Sequence, residues 1–334
     1  MNVREMRDAD LDEVIALLER ALGPAPGGVA RRDLFAWKHQ RSHFGRSIAL
    51  VAEEGGDIVG LRTFLRWRFA AGGAQDVEAV RAVDTATDPR MARRGVFRTL
   101  TMAGLELCGA EGIGFVFNTP NAKSKAGYLK MGWSEVTTWP MSVRIRRPLS
   151  LAVSAVRRDL SSGPGVDVPD TSALRRAAEA LADPSVIALV ESLQPAAERL
   201  STRRTPGYLR WRYADSPIAY HALAVGQPPE ALVMLRARSR GRLREAVICE
   251  ALASPGSARA LRTALRRAGA AAGAHHAVAH FGEGLPGHPA LLASGYLRLP
   301  GRGMAFTARP VAGATLDPLA AEDWALSLGD LEVF

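Results

Sequence analysis

The chain has 334 residues, 47% hydrophobic and 23% charged, which is the balance of a globular protein and excludes a fibrous or disordered one. That length predicts two domains, and no run approaches the roughly 18 uninterrupted apolar residues of a spanning helix. A formal net charge of +9 invites nucleic acid, but the arginines are scattered, without basic blocks interleaved with aromatics, a helix-turn-helix or a zinc spacing.

The expectation is therefore no nucleic acid and no membrane. A positive field favours anionic ligands, such as a phosphate-bearing coenzyme or an acidic carrier protein. Met1 to Arg7 hold no apolar core of signal-peptide length. Cys108 and Cys249, both in apolar runs, read as buried reduced thiols of a cytoplasmic protein.

In chain order, Val3 to Met6 reads as a short strand. Asp8 to Asp10 lead into a helix with Leu11, Val14, Leu17, Leu18 and Leu22 at helical spacing, ended by the glycines and prolines of residues 23–28. Ser47 to Ala52 and Ile58 to Phe64 form a hairpin about Gly55-Gly56-Asp57. Val77 to Thr87 is a strand, Gly95 to Glu111 a helix, Gly112 to Phe117 a strand and Asn121 to Lys130 a short helix, with a further strand from about Trp133. This order gives an α/β fold, a mixed sheet flanked by helices.

Residues 146–199 read as a crossover, with a helix over Leu149 to Leu160, a loop at Ser161 to Gly165 and an Ala-rich helix over Ala173 to Ala182. From about Leu200 the pattern repeats. Trp37, Ala49, Arg98 and Gly127 find counterparts in Trp211, Ala222, Arg262 and Gly295, at offsets between 164 and 174 residues in the same order. Four matches in order point to an internal duplication.

Two segments carry chemistry. In Asp84 to Arg98 a strand runs through a basic turn into a helix. Free amides at the helix N-terminus, with Arg93, Arg94 and Arg98, suit a pyrophosphate, and Gly95 lets backbone approach it. The plainer reading is a solvated basic loop. In Asn118 to Trp133, Thr119 can cap a helix with Pro120 at its first position. Asn121 and Tyr128 fall about two turns apart on one face, able to bond a ligand and donate a proton, unless Tyr128 packs by its ring.

Together these segments resemble the GCN5-related N-acetyltransferase (GNAT) superfamily over roughly residues 1–145. Arg94-Gly95-Val96-Phe97 falls on its pyrophosphate turn, and Asn121-Ala122 with Tyr128 to Trp133 on its second acyl-CoA motif. The resemblance implies that amides of Met91, Ala92, Arg93, Arg94, Gly95, Val96 and Phe97 hold the pyrophosphate, with Arg98 adding charge. It implies that Thr85, Ala86 and Thr87 pair with pantetheine, that Asn121 contacts the same arm, and that Tyr128 protonates the departing thiolate. Two positions depart from the family, Ala92 where Arg or Gln is usual, which costs a side-chain donor, and Phe97 where Gly or Ala is usual, which would narrow the far side of the turn.

Acyl transfer also needs an amine freed of its proton. Asp84 and Glu78 are the candidate bases, Asp84 preferred unless it pairs with Arg81, and Asn118 is placed to orient the acceptor. The second half lacks both motifs, in Ala253 to Arg259 and Gly282 to Pro289. His275, His276 and His280 scatter over both faces of a strand, so no metal is expected.

The implied organisation is a catalytic GNAT domain over 1–145, crossover helices over 146–199, a degenerate GNAT-like domain over 200–310 and a tail over 311–334. Trp324 and Asp330 of the tail are expected to reach the acceptor cleft. The expected activity is N-acyl transfer from acetyl-CoA to a small-molecule amine. The alternatives are a longer acyl-CoA or acyl carrier protein donor, and a non-catalytic CoA-binding regulatory module.

Overall fold

The computed structural model describes residues 1–71, 76–150, 166–168, 171, 173–193, 195–196, 198–311 and 317–332. The expected loop at Ser161 to Gly165 and most of the expected helix over Leu149 to Leu160 lie outside them.

The first half runs β1 (Asn2–Glu5), α1 (Leu11–Leu22), α2 (Arg31–Phe35), β2 (Ile48–Glu54), β3 (Asp57–Ala71), β4 (Val77–Thr87), α3 (Val96–Ala110), β5 (Phe115–Asn118), α4 (Ala122–Lys130) and β6 (Ser134–Ile145). The apolar spacing accounts for α1, which buries Val14, Leu17 and Leu18 against β3 and β4 and stops at Gly23, φ +75°. On the opposite face α3 lies close to β3, because a Cβ on Gly60 would meet Val96 and Leu100, and one on Gly104 would meet Phe64.

Small elements follow: β7 (Val166–Asp167), β8 (Arg175–Arg176), α5 (Ala177–Ala180), α6 (Pro184–Glu191), β9 (Leu200–Ser201) and α7 (Pro206–Leu209). The Ala-rich helix expected over 173–182 is thus only four residues long, and Pro184 opens a separate one. Then β10 (His221–Val225), β11 (Ala231–Arg240), β12 (Leu243–Ala253), α8 (Ala258–Ala271), β13 (His276–Ala279), α9 (Gly287–Ala293) and β14 (Leu297–Pro310) repeat the order of β2 to β6, and α10 (Leu328–Leu331) follows. Even the π-helical turn after α2 (Ala36–Gln40) recurs after α7 (Arg210–Ala214).

The sheet order is β1-β2-β3-β4-β5-β14-β6-β13-β12-β11-β10-β8. Among the described strands β4–β5 and β12–β13 are the parallel pairs, and the rest are antiparallel. The last strand of each half is exchanged. β14 lies between β5 (Thr307↔Asn118) and β6 (Ala305↔Thr138), while β6 also pairs with β13 (Val143↔Val278). One sheet therefore runs across residue 145, and neither half closes its sheet with its own strands alone.

An aromatic core spans the join, with Trp67, Phe115 and Phe117 of the first half meeting Tyr208, Trp211 and Phe306 of the second. Trp324 of the tail is buried within it, 4.9 Å from the Phe306 ring and 5.1 Å from Phe69. It is a core residue, buried among the rings of Phe69, Phe115, Phe117 and Phe306. No helix of the described residues is long and apolar enough to cross a membrane.

Candidate active site

The site begins where two strands part. β4 and β5 are paired only as far as Arg81↔Phe117. β5 ends at Asn118, whereas β4 continues to Thr87, so the β5-facing edge of its last residues is left open. On its other edge β4 bulges. Thr63 pairs with Val83 but Leu61 with Ala86, leaving Asp84 and Thr85 opposite Arg62. Asp84 takes the left-handed conformation that this insertion demands, φ +42°.

Beyond β4, Asp88 caps the 3-10 turn Pro89–Met91 by accepting from the Arg90 amide. The amides of Met91, Ala92 and Arg94 bond to the carbonyls of Asp88, Pro89 and Met91. Those three therefore serve the turn rather than a ligand, which corrects the full run expected from Met91 to Phe97. Arg93 and Gly95 both have positive φ, +64° and +80°, and the first turn of α3 at Val96, Phe97 and Arg98 has no capping side chain. This is a concave nest of amides at a positive helix end, suited to an anion. Arg94 is turned away, against Glu54 at 3.4 Å, while Arg93 and Arg98 are exposed.

Phe97 does not narrow that turn. Its ring points inward, edge-on to Tyr128 with centroids 5.4 Å apart, in space that Gly127 leaves free. Tyr128 is buried, and Arg62 Nη1 donates to its hydroxyl at 2.7 Å and also to Thr85 Oγ1. The cap of α4 is Asn121, not Thr119, with Oδ1 accepting from the Ser124 amide at 2.9 Å. Asn121 is exposed at the mouth, and its carbonyl oxygen is committed to the cap. Thr119 instead accepts from Arg81 Nη2 at 2.8 Å.

Asp84 does not pair with Arg81. Lys38 Nζ lies 2.8 Å and His39 Nε2 2.7 Å from its Oδ2, and His39 Nδ1 meets Ser47 Oγ at 2.9 Å. The π-helical turn over Ala36–Gln40 is what lets two consecutive side chains reach one carboxylate. Burial alone would raise the Asp84 carboxyl, but Lys38 and His39 outweigh it and hold it well below the ordinary range. A carboxylate held ionised in this way is a weak proton acceptor, and it suits binding an ammonium or amine N–H through Oδ1 better than taking its proton. Burial also lowers Lys38 and His39, against the pull of Asp84.

Two other expected residues stay outside. Glu78 pairs with exposed Arg68 at 2.6 Å, and six residues of strand, about 20 Å, separate it from Asp84. Asn118 is buried with Oδ1 accepting from the Thr307 hydroxyl of β14, which ties its side chain to the neighbouring strand. His276 pairs with Glu245 at 3.0 Å, His275 accepts from the Arg244 amide and His280 meets the Pro140 carbonyl, so the three histidines serve separate partners. Lys38, His39 and Arg62 were missed from the sequence. The signal was present only as polar residues amid apolar ones at Lys38-His39 and Arg62.

Residues 2–136 match the acetyltransferase (GNAT) domain family. They form a GNAT domain. No curated protein matches the chain. Among solved structures, that of Eis1 from Mycobacterium abscessus is similar over 93% of this chain and 74% of that one, with TM-score 0.55 and 17% identity. A GCN5-related N-acetyltransferase from Anabaena variabilis is similar over 93% and 72%, with TM-score 0.62 and 10% identity. One from Kribbella flavida is similar over 92% and 70%, with TM-score 0.59 and 17% identity. At these identities the likeness is one of fold, and it extends through both halves of the chain. GNAT acetyltransferases use acetyl-CoA, and this domain fits that donor: an open strand edge for an amide-bearing arm, an uncapped helix end for phosphates and a buried tyrosine hydroxyl between them.

Proposed function

We propose that the protein transfers an acetyl group from acetyl-CoA to the amine of a small molecule. The observation that carries this reading is the parting of β4 from β5 beside the uncapped start of α3, with Tyr128 behind it. The exposed amides of the nest, with Arg93 and Arg98, would receive the pyrophosphate. The open edge over Thr85, Ala86 and Thr87 would pair with the pantetheine amides, with Asn121 at the mouth. Bound there, acetyl-CoA supplies the activated acyl group.

The remaining roles belong to the chain. Asp84 Oδ1 holds the acceptor amine, which attacks as its free base. The new C–N bond forms as the C–S bond breaks, Tyr128 gives its proton to the departing sulfur, and the proton shed by the nitrogen leaves to solvent, from which Tyr128 is reprotonated. The positive field of the chain would equally admit a donor on an acidic carrier protein, so that donor belongs in the same assay.

The test is thiol release with acetyl-CoA, longer acyl-CoAs and an acyl carrier protein over a panel of small amines, beside calorimetry with free CoA. Acetyl transfer to at least one amine is expected. Absence of CoA binding at millimolar ligand would sink the reading.

A further inference from the structure

Arg62 is an arginine with no exposed surface, on a strand in the middle of a sheet. A guanidinium in such a place normally faces a carboxylate, since an uncompensated buried charge is costly. Among the described residues no carboxylate ion-pairs with it, and its Nε and Nη2 find no hydrogen-bond partner. Its surroundings are aromatic, with Cζ 4.6 Å from the Phe64 ring centroid, 5.2 Å from Tyr128 and 5.7 Å from Phe97. Ring faces offset part of the cost. The bonds it does make run from Nη1 to the Tyr128 hydroxyl at 2.7 Å and to Thr85 Oγ1.

The chemistry of that contact is directional. A guanidinium only donates, so the tyrosine oxygen accepts from Arg62 and must point its own hydrogen elsewhere. Thr85, on the open edge of β4, shares the same Nη1, which ties the orientation to the strand along which the donor would lie. When Tyr128 gives its proton to a thiolate sulfur, the negative charge moves from sulfur to the phenol oxygen, next to a fixed positive charge. Proton uptake from solvent then restores the phenol.

We propose that Arg62 is the positioning residue of the proton-donating step: it aims the Tyr128 hydroxyl at the leaving sulfur and neutralises the phenolate that the step creates. This rests on Tyr128 being the acid of the proposed acyl transfer. A merely structural arginine, pinning three rings together, would give the same geometry but a different response to substitution.

The test is a double-mutant cycle in the full chain with Arg62→Met, Arg62→Lys, Tyr128→Phe and the Arg62→Met/Tyr128→Phe pair. The readouts are kcat, acetyl-CoA KM, CoA affinity by calorimetry and thermal melting. Arg62→Met should lower kcat roughly 10- to 100-fold, the worth of a charge-assisted hydrogen bond, with CoA affinity held within about threefold. Arg62→Lys, which keeps the charge but not the fork, should recover part of kcat. The pair should be no slower than Tyr128→Phe alone, because Arg62 acts only through that hydroxyl.

Losses that multiply in the pair, or full kcat in Arg62→Met, overturn the proposal while leaving Tyr128 as the acid. Full kcat in Tyr128→Phe overturns the acid itself, and the proposal with it. If Arg62→Met does not fold, Arg62→Lys carries the test. A partial fall of kcat in Arg62→Lys that disappears in the Tyr128→Phe background supports the proposal, and a fall that multiplies with that of Tyr128→Phe, or no fall at all, rejects it.

Discussion

Trp37 and Trp211 stand 174 residues apart and hold each other reciprocally: Trp37 Nε1 donates to the Trp211 carbonyl at 2.7 Å, and Trp211 Nε1 donates to the Trp37 carbonyl at 3.2 Å. Their rings stack at 5.4 Å, and each sits in the π-helical turn of its own half. The pair marks a local two-fold relation between the repeats, and the exchange of β6 and β14 marks it again on the sheet. The same turn that supplies Trp37 supplies Lys38 and His39 to Asp84, so the contact between the halves and the floor of the site share one stretch of backbone.

The first prediction concerns that pair. Trp211→Ala should destabilise the protein by about 3–5 kcal/mol, since it opens a cavity in a core shared by both halves and takes from the Trp37 carbonyl its indole donor. Unfolding in urea, followed by tryptophan fluorescence and far-UV circular dichroism, should remain a single coincident transition. Two separated transitions would show that the halves unfold alone and that the exchanged strands do not bind them.

Much of the fold was legible because its signals are local. Val77 to Thr87 as a strand and the helix after Gly95 match the structure to within a residue, and the echo of Trp37 in Trp211 announced the repeated order of elements. The exchange of β6 and β14 was not legible, because a strand's periodicity names its buried face but not its neighbour. Near the site, the strand-to-helix turn before α3 and the helix that carries Tyr128 were readable from residue order and spacing. Phe97 was misjudged because its direction depends on Gly127, thirty positions away. The partners of Asp84 were hidden because a π-helical turn, which no local pattern marks, brings Lys38 and His39 side by side.

The second prediction follows from Asp84. Asp84→Asn should raise the acceptor KM and lower kcat/KM by roughly tenfold or more, the worth of a hydrogen bond to a charged group, while CoA affinity stays near that of the native protein. Stability should also fall, because Lys38 loses its counter-charge and His39 its carboxylate acceptor. In the native chain the Asp84 carboxyl is held below an unfolded carboxyl near 4. The unfolded chain therefore takes up the proton first, so this stabilisation is complete above about pH 4 and is lost as pH falls below that. Urea midpoints measured between pH 5 and 3 should drop less steeply in Asp84→Asn, and parallel curves would contradict the ion pair.

The third concerns His280, whose ring is buried against Trp139, with Nδ1 2.8 Å from the Pro140 carbonyl. Burial lowers it to about 4. An unfolded histidine titrates near 6.5, so the unfolded chain binds the extra proton between about 6.5 and 4, and stability falls as pH falls through that window. The full effect is on the order of 3 kcal/mol. His280→Gln, neutral throughout, should flatten the pH dependence of the urea midpoint in that range, and an unchanged slope would assign the loss to other groups.

The fourth concerns Asp330, which fastens the tail. Its carboxylate pairs with Arg204 and accepts from the Ser327 amide at 2.8 Å, completing a capping box with the Ser327 hydroxyl at the start of α10. The backbone carbonyls of Asp330 and Leu331 accept from Arg81 on β4, three residues before Asp84. Asp330→Asn removes one charge facing Arg204 and weakens the box. Breaking such a buried pair costs about 3 kcal/mol, and the cap adds about 1 kcal/mol. As α10 loosens, Arg81 loses the acceptors that hold it beside Thr119, at the point where β4 and β5 part. Acetyl-CoA KM should therefore rise several-fold in Asp330→Asn, while an exposed control such as Glu322→Gln leaves it unchanged. A variant within about 0.5 kcal/mol of the native stability would show that Asp330 does not fasten the tail, and one that loses stability while KM stays fixed would show that the tail braces the core without bracing the split.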